Sequence, residues 1–464
     1  MKNFYTEDTI TALSTPYGLG GIAIIRISGK DSVKIAEKLY KSPNGKSKKI
    51  TSYKAMYGYV INPNTGKKID EAIFLPMLKP YSYTKEDVVE IQCHGGSICA
   101  SEILKLICSE GARMAQPGEF TKRAFLNGRI DLVQAEAVMD IINAKSSKAL
   151  ENAMEQLSGK YSDELKEFKE EIIDTIALTE APIDYPDEEL YSDSTTETKE
   201  KIDRLYEKAK KMLDSAIGGK LYRDGAKVSL IGKPNAGKSS ILNMLLKENR
   251  AVVTDIARTT RDRIEESCVI DSIPVTICDT AGIRETDSEI EKLGIEKTKE
   301  AIDTSDLIIT VIDSSNEIDK EDEEVLKCAL NSKKDVIFIL NKTDLQTKTT
   351  EEEILKKYNV QPIKLSTKSL EGREDIIKEI GKILKKSFNM SSASRFTASH
   401  RHIECLEAIL KDLKEASDSV ANGYPLDLCT IPLRGAISTL EELTGISCED
   451  EITDTVFSKL CIGK

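Results

Sequence analysis

The chain has 464 residues, too many for one compact hydrophobic core, so we expect two to four domains. Hydrophobic residues make up 40% of it and charged residues 31%, which is the composition of an ordinary globular protein. The formal net charge of −12 excludes a protein that coats nucleic acid through bulk electrostatic attraction, although a local basic groove remains compatible with it.

Targeting signals and cysteine usage indicate the cellular compartment. The first residues, MKNFYTEDTITAL, carry acids where a signal peptide has an apolar run, and no segment approaches the roughly 20 apolar residues of a membrane helix. The ten cysteines form no C-x-x-C pair and no Cys/His cluster, which disfavours structural zinc and fits a reducing compartment. We therefore expect a cytoplasmic protein without a membrane anchor.

Residues 1–120 are expected to form a small α+β domain. Short β-like runs alternate there with turns, namely GIAIIRIS at 21–28, DEAIFLPML at 70–78 and DVVEIQCH at 87–94, and a helical pattern lies near 100–110.

Residues 121–220 and 385–464 carry apolar residues at helical spacing and are expected to form one helical domain in two segments. The two stripes are Leu165, Phe168, Ile172 and Ile176, and Ile403, Leu406, Leu410 and Leu413. PDEELYSDSTTETKEK is interpreted as a polar connector, and SAIGGKLYRDGAK and KKSFNMSSASR as exposed junctions.

Residues 221–384 alternate strands and helices, which predicts a mostly parallel sheet covered on both faces and inserted into the helical domain. The strands are KVSLI, PVTIC, DLIITVID, DVIFIL and VQPIKL.

A phosphate-binding loop follows the first of these strands. GKPNAGKSS, at 232–240, has the spacing G-x-x-x-x-G-K-[ST] at a strand-to-helix turn. Backbone N–H groups at such a loop surround the β-phosphate, Lys238 bridges β- and γ-oxygens, and Ser239 offers its hydroxyl to Mg²⁺. The alternative for this motif alone is a glycine-rich structural turn. The residues expected to contact nucleotide here are Asn235, Ala236, Gly237, Lys238, Ser239 and Ser240.

Three further motifs at strand ends exclude that alternative and predict a GTP-binding domain. DTAG supplies an aspartate for the magnesium shell and a glycine N–H for the γ-phosphate, and in NKTD the carboxylate of Asp344 accepts two donors from a guanine edge. An STK motif after the last strand completes the base pocket. The residues are Asp279, Thr280, Ala281 and Gly282; Asn341, Lys342, Thr343 and Asp344; and Ser366, Thr367 and Lys368.

The residue that orients the attacking water is less evident. Ile283 follows DTAG, where signalling GTPases place a glutamine, so either another group acts or the domain binds GTP without hydrolysing it. Glu285, Glu289 and Glu291 are the candidates, and most charges of this acidic run are expected to form a solvated helix face.

These flanks and this GTP-binding domain together resemble the MnmE (TrmE) family of tRNA modification GTPases, from one end of the chain to the other. The similar segments are TPYGLGGIAIIRISG, EDVVEIQCHGG, PGEFTKRAFLNGRIDLVQAEAVMDII, IDYPDEEL, PNAGKSS, TDIARTTRD, DTAGIRETDSEIEKLGI and the terminal CIGK.

The resemblance implies a multidomain α/β protein in which a Ras-like P-loop G domain is inserted into an α-helical domain and preceded by a small α+β folate-binding-like domain. It implies a homodimeric GTPase that uses Mg²⁺ and K⁺. It further implies a heterotetramer with a FAD-dependent partner of the MnmG (GidA) type. Together they would install an aminomethyl-type group on C5 of the wobble uridine, position 34, of certain tRNAs. The one-carbon donor would be 5-formyl- or 5,10-methylene-tetrahydrofolate.

The resemblance also assigns residues. Arg26, Glu86, Arg129 and Lys464 match the family's folate contacts, and Cys461 would lie near the transferred carbon, either as a reactive thiol or as a packing residue. CIGK does not fit a prenylation signal, because Gly463 is not aliphatic. In the GTP-binding domain, Glu291 matches the water-orienting glutamate and acts with Lys238 as a catalytic residue. Potassium would be held by Asn235, Thr254, Ile256 and Thr259, magnesium by Ser239 and Thr260, and nucleotide also by Asp255, Ala257 and Arg258.

Arg258 departs from the family pattern, which has glycine at this position of TDIAGTTRD. The arginine either misshapes the potassium loop, or partly replaces K⁺ as an arginine finger in cis, or points to solvent. We expect a weaker potassium dependence than in relatives. Two other functions remain as alternatives for the whole chain: a ribosome-assembly GTPase without transfer chemistry, and a folate-binding module with a vestigial GTPase.

Overall fold

The structure is a computed structural model that describes residues 8–44, 50–184, 188–249, 265–279, 300–388, 398–447 and 450–463. The chain divides into two compact units, Met1–Met139 with Leu440–Lys464, and Asp140–Thr439. The boundaries expected at 120, 220 and 384 stay predictions.

The strands and helices follow in chain order. The strands are β1 (Ile10–Leu13), β2 (Ile22–Ser28), β3 (Tyr40–Lys41), β4 (Met56–Ile61), β5 (Lys68–Met77), β6 (Val88–His94), β7 (Arg113–Met114), β8 (Ala226–Ile231), β9 (Glu265–Ile270), β10 (Ile273–Asp279), β11 (Leu307–Asp313), β12 (Asp335–Asn341) and β13 (Ile363–Lys364). The helices are α1 (Ser32–Leu39), α2 (Ser97–Ser109), α3 (Glu119–Leu126), α4 (Leu132–Asn143), α5 (Ser147–Leu157), α6 (Lys160–Asp184), α7 (Glu188–Asp224), α8 (Lys238–Asn249), α9 (Lys320–Asn331), α10 (Glu351–Tyr358), α11 (Arg373–Ser387), α12 (His400–Ala421), α13 (Leu426–Thr444) and α14 (Asp450–Ser458).

The first unit contains a sheet with the strand order β3-β4-β5-β6-β2-β1-β7 within the described residues. Its neighbouring strands are antiparallel except for β1 and β7, which run parallel. Helices α1 and α2 supply Ile35 and Ile103 to the apolar core of the sheet, where they are buried with Ile25, Phe74 and Ile91. The three β-like runs and the helix near 100–110 predicted in this region are observed as β2, β5, β6 and α2.

The C-terminal helix α14 packs on α3 in the same unit. Phe457 and Leu460 are buried in a cluster with Ala124, and the rings of Phe125 and Phe457 lie 5.9 Å apart. Gly118 has φ +69°, and a Cβ at this position would lie 2.2 Å from the Phe457 carbonyl oxygen. Only glycine fits the close approach, so the backbone before α3 sets the position of the chain that leads to residue 461.

The second unit contains a sheet with the order β13-β12-β11-β8-β10-β9 within the described residues. All its neighbouring pairs are parallel except β9 with β10. Four of the predicted strands are observed nearly as expected, VQPIKL forms a strand only at Ile363–Lys364, and β9 was not predicted. Strands β8, β11 and β12 are nearly continuous apolar runs, as expected for strands buried on both faces.

The helical part of the second unit is built around α6, α7 and α12, and the stripe predicted on α6 is buried. On α12, Leu406 and Leu413 are buried as expected, whereas Ile403 and Leu410 are only half-buried, because the buried face is centred on Cys405 and Ile409. His402 is buried in the first turn of α12.

Two predictions about the connecting segments are wrong. PDEELYSDSTTETKEK is helical from Glu188, because it leads into the part of α7 that packs against α6 and α12, and extending an existing helix costs little compared with nucleating one. SAIGGKLYRDGAK is not an exposed junction: it forms the last turns of α7, where Ala216, Leu221 and Tyr222 are buried. The other predicted junction lies largely outside the described residues. None of the described helices combines the length and apolarity that crossing a lipid bilayer requires.

Candidate functional sites

The phosphate loop connects the end of β8 to the start of α8. Its backbone has positive φ at Gly232, Asn235 and Gly237, at +148°, +62° and +100°. A Cβ at Gly232 would lie 2.4 Å from the Val311 carbonyl oxygen, so this position requires glycine. The ammonium group of Lys238 is buried and donates hydrogen bonds to the carbonyl oxygens of Gly232 and Lys233, both at 2.7 Å. Lysine and loop therefore form one preorganised unit at the N-terminus of α8.

Asn341 joins the phosphate loop to the base-binding loop. It is fully buried at the end of β12, and its Nδ2 donates a hydrogen bond to the Ala236 carbonyl oxygen at 2.9 Å. A Cβ at Gly237 would lie 2.1 Å from the same Nδ2 atom. The glycine of the GK pair is therefore required by Asn341 as well as by its own backbone conformation.

The carboxylate of Asp344 is oriented by the STK loop. Ser366 Oγ donates to Asp344 Oδ1 at 2.8 Å, and Ser366 Oγ also accepts a hydrogen bond from the Ser369 N–H at 3.1 Å. No other residue in the described ranges donates to this carboxylate, and Asp344 is exposed. One carboxylate oxygen is thus held in place while the group remains open to a ligand.

Lys342 is fixed by an ion pair. Its Nζ lies 2.7 Å from Asp313 Oδ2, and its backbone has φ +65°. Burial alone would raise the pKa of Asp313, but hydrogen bonds from Lys342 and Ser315 outweigh this effect and leave the pKa below its ordinary value. Asp313 ends β11 and Asn341 ends β12, so the parallel sheet places this pair at the same edge as the phosphate loop.

The remaining predicted nucleotide residues divide into two groups. Asp279 ends β10, which pairs with β8 next to the phosphate loop. Ser239 and Ser240 lie in the first turn of α8, and Thr367 and Lys368 follow Ser366 in the STK loop. The others lie outside the described residues: Thr254, Asp255, Ile256, Ala257, Arg258, Thr259, Thr260, Thr280, Ala281, Gly282 and Glu291.

A second candidate site lies in the first unit, around Tyr83. The guanidinium carbon of Arg26 lies 5.3 Å from the centre of the Tyr83 ring, and that of Arg129 lies 4.8 Å from it. Arg26 also donates from Nε and Nη2 to Glu90 Oε1, at 3.0 and 2.8 Å. Arg129 is exposed and forms no ion pair with any described residue. Two predicted folate residues thus meet on one aromatic ring, and Arg129 keeps its guanidinium open to a ligand carboxylate.

Glu86 belongs to a buried network that the sequence did not reveal. Its Oε2 accepts from Ser28 Oγ at 2.6 Å, and its carboxylate accepts from Nη1 of Arg123 at 3.2 and 3.3 Å. Arg123 is 1% exposed and also pairs with Asp8 and Glu119. Its Nε is buried with no hydrogen-bond partner among the described residues.

Glu119 is the most buried acid of this network. Burial raises the pKa of its carboxyl, but hydrogen bonds from Arg113, from the Gln116 N–H and from Arg123 outweigh that effect and hold the pKa below its ordinary value. The Glu119 carboxylate is therefore ionised at neutral pH and helps to hold Arg123 next to Glu86. The only signal of this network in the sequence was Arg123, a basic residue within the helical segment FTKRAF.

The C-terminal segment is held by its backbone. The carbonyl oxygen of Cys461 accepts from the Gly118 N–H at 3.3 Å, and that of Gly463 accepts from Ser14 Oγ at 3.2 Å and from Arg26 Nη1 at 3.3 Å. The side chain of Cys461 is exposed. Lys464 lies outside the described residues, but its neighbour Gly463 contacts Arg26. The tail therefore reaches the group of Arg26, Tyr83, Glu86 and Arg129, here called the Tyr83 cluster.

Two protein-family models match this chain. The model described as "GTP-binding protein TrmE N-terminus" matches residues 9–129, and the model described as "MnmE helical domain" matches residues 132–461. The proteins named tRNA modification GTPase MnmE from Lactobacillus delbrueckii subsp. bulgaricus and Streptococcus pyogenes serotype M1 are each 42% identical to this chain. Each alignment covers 98% of both sequences.

The chain belongs to the MnmE family of tRNA modification GTPases. This result confirms the family resemblance predicted from the motifs. It also confirms the predicted enzyme class, a GTP hydrolase of tRNA modification, and the predicted multidomain fold class. The G domain of the T. maritima FeoB iron transporter is 25% identical over 34% of this chain and 98% of that chain, with a TM-score of 0.28. That score is too low to support a further conclusion.

Proposed function

We propose that this MnmE family protein binds tRNA and hydrolyses GTP with Mg²⁺ and K⁺, and that hydrolysis controls a folate-dependent modification of the wobble uridine. A FAD-dependent partner of the MnmG type would act with it. The product would carry an aminomethyl-type group on C5 of uridine 34, with 5-formyl- or 5,10-methylene-tetrahydrofolate as the one-carbon donor.

The observation that carries the nucleotide part is the hydrogen bond from Asn341 to Ala236. It joins a base-binding loop and a phosphate-binding loop at one edge of a parallel sheet. Ser366 holds the Asp344 carboxylate, which would accept hydrogen bonds from a guanine edge, and Lys238 would exchange its two carbonyl partners for phosphate oxygens. Ser239 lies in the first turn of α8 and is suited to a magnesium ligand, and Asn235 lies in the phosphate loop, whereas the remaining cation ligands lie outside the described residues.

The folate part is supported by the chemistry of the Tyr83 cluster. A folate has a flat pterin ring and a carboxylate tail, and the cluster offers an aromatic face, an exposed arginine and a carboxylate. Arg129 would bind the carboxylate tail. Glu86, held by Arg123 and Ser28, would accept hydrogen bonds from the pterin edge. The Glu90 pair and the Gly463 contact give Arg26 a role in holding the tail as well as in binding ligand.

Mass analysis of wobble uridines tests the whole proposal. A strain lacking the gene would be complemented with the wild type, with Asp344→Asn and with Arg129→Ala. We expect the modified uridine with the wild type, loss with Asp344→Asn, and reduction with Arg129→Ala. Normal wobble uridines in the deletion strain, accompanied by defective ribosome assembly, would instead support the ribosome-assembly alternative.

A further inference from the structure

Two cysteines and an aspartate converge at one end of the sheet in the first unit. Asp70 lies on β5, Cys93 lies at the end of β6, and Cys99 lies in the first turn of α2. One carboxylate oxygen and the two sulfur atoms all lie within 4.8 Å of one another. Five residues separate the cysteines in sequence, so no short spacing motif indicates this cluster.

The side chains already form a polar network. Cys99 Sγ donates to Asp70 Oδ2 at 3.2 Å, and the other oxygen, Oδ1, lies 2.7 Å from His94 Nδ1. The His94 N–H also donates to Oδ2 at 2.8 Å, so the carboxylate is fixed from two sides. Cys93 is buried, Asp70 and Cys99 are half-buried, and the His94 ring is 68% exposed. The cluster is therefore enclosed by the sheet and open on the histidine side.

The thiols are protonated in this arrangement. Burial raises the pKa of Cys93 to about 11, and burial together with the hydrogen bond to Asp70 raises the pKa of Cys99 to about 12. These are not the thiols of a reactive nucleophile, which needs a lowered pKa. A divalent cation between the three groups would have two sulfur atoms and one carboxylate oxygen within reach.

We propose that Asp70, Cys93 and Cys99 bind one zinc ion. Thiolate sulfur selects zinc over magnesium or calcium, and a carboxylate is an accepted third ligand. The two S–H bonds break, their protons leave to solvent, and two Zn–S bonds form, without any change of oxidation state. His94 orients the carboxylate through Oδ1, and the exposed side leaves a fourth position for water.

Such an ion would stabilise the turn between β6 and α2. This turn contains Gly95, whose carbonyl oxygen accepts from the Gly20 N–H at 3.0 Å and whose N–H donates to the Gly21 carbonyl oxygen at 3.4 Å. A Cβ at Gly95 would lie 2.3 Å from the Gly20 carbonyl oxygen, so the two backbones are in close contact. Metal binding would therefore also order the glycine-rich loop before β2.

Cobalt provides a spectroscopic test on the full-length protein. The chain would be stripped of metal, kept reduced, and titrated with Co²⁺ in excess Mg²⁺, which occupies the oxygen sites of the GTP-binding domain but not thiolates. We expect thiolate-to-cobalt charge-transfer absorption that saturates at one equivalent, bleaches on addition of one equivalent of Zn²⁺, and accompanies the release of two protons. The melting temperature should rise with Zn²⁺.

Cys99→Ser and Asp70→Asn are the test variants, because both positions are half-buried, and Cys108→Ser on the same helix is the matched control. Cys99→Ser should weaken the absorption to that of one thiolate and remove the Zn²⁺ effect on melting, whereas Cys108→Ser should behave as the wild type. Melting of the metal-free variants verifies that they fold. Absence of the thiolate band in the reduced wild type, or an unchanged band in Cys99→Ser, would overturn the proposal.

Discussion

Replacing Asp344 by asparagine should convert the GTP site into one that prefers xanthosine triphosphate. The carboxylate is held by Ser366 at 2.8 Å and has no other donor among the described residues, so its remaining acceptor capacity is available to a purine. Guanine offers two N–H donors to it. Asparagine replaces one acceptor oxygen by an NH₂ group, which opposes the guanine NH₂ but suits the carbonyl oxygen of xanthine.

The expected loss follows from two charge-assisted hydrogen bonds, each worth roughly 1.5–3 kcal/mol. Because Asp344 is exposed when no base covers it, water compensates part of the interaction in the free protein, and the lower end of the range applies. A total of about 3 kcal/mol corresponds to a rise in the Kd for GTP of roughly 100-fold to 200-fold. ATP should remain a poor ligand of the variant.

Equilibrium titration with fluorescent guanine and xanthine nucleotides in Mg²⁺ measures both values. Ser366→Ala is the matched control, because it leaves the carboxylate in place and removes only the neutral hydrogen bond that orients it; we expect a rise in Kd of roughly fivefold, from about 1 kcal/mol. A variant Asp344→Asn that binds GTP within threefold of the wild type would refute the assignment of this carboxylate to the base.

Four further substitutions test other parts of the molecule. Gly237→Ala should abolish nucleotide binding in the same titration, since its Cβ would lie 2.1 Å from Asn341 Nδ2; retained binding would contradict the close approach. Arg123→Met should lower the free energy of unfolding at pH 7 by about 3–5 kcal/mol, since it leaves buried carboxylates without their partner. The pKa of Glu119 is lowered in the folded state despite burial, so its contribution to the free energy of unfolding is present above about pH 4 and is lost at lower pH. Denaturant unfolding should therefore show a smaller difference in the free energy of unfolding between Arg123→Met and the wild type below that pH. Arg129→Ala should weaken tetrahydrofolate binding, measured by calorimetry, more than Arg129→Lys does, because lysine keeps the positive charge. If Arg129→Ala binds tetrahydrofolate with the affinity of the wild type, Arg129 does not belong to the site. Arg258→Gly should raise the ratio of GTP turnover in K⁺ to that in Na⁺, and a full K⁺ requirement in the wild type would rule out the finger hypothesis.

The residues at strand ends could be predicted because their motifs specify both a chemistry and a local structure. GKPNAGKSS requires a strand before it and a helix after it, and β8 and α8 occupy those places. Strand β9 was missed because EESCVI alternates less clearly than the buried parallel strands. The helical start of α7 was not predicted because its polar sequence has no apolar helical pattern. Its helical conformation is determined by the packing of the later part of the same helix.

Interactions between residues distant in sequence could not be predicted, since no pattern along the chain encodes them. The pair of Arg26 with Glu90 depends on the antiparallel register of β2 and β6, in which these two residues are direct partners. The cluster of Asp70, Cys93 and Cys99 depends on β5, β6 and α2 meeting at one end of the sheet. Structural zinc was disfavoured on the spacing of the cysteines alone, and spacing does not show which residues meet in the fold.

Asn341 links the base-binding loop to the phosphate-binding loop. Asn341 is fully buried and uses its amide to hold the Ala236 carbonyl, and the absence of a Cβ at Gly237 leaves room for that amide. A base that displaces the NKTD loop therefore also displaces the backbone that surrounds the β-phosphate. We therefore expect discrimination against ATP to have two sources, the unmatched Asp344 carboxylate and a disturbed phosphate loop. The second source does not require Asp344 to be buried before the nucleotide binds.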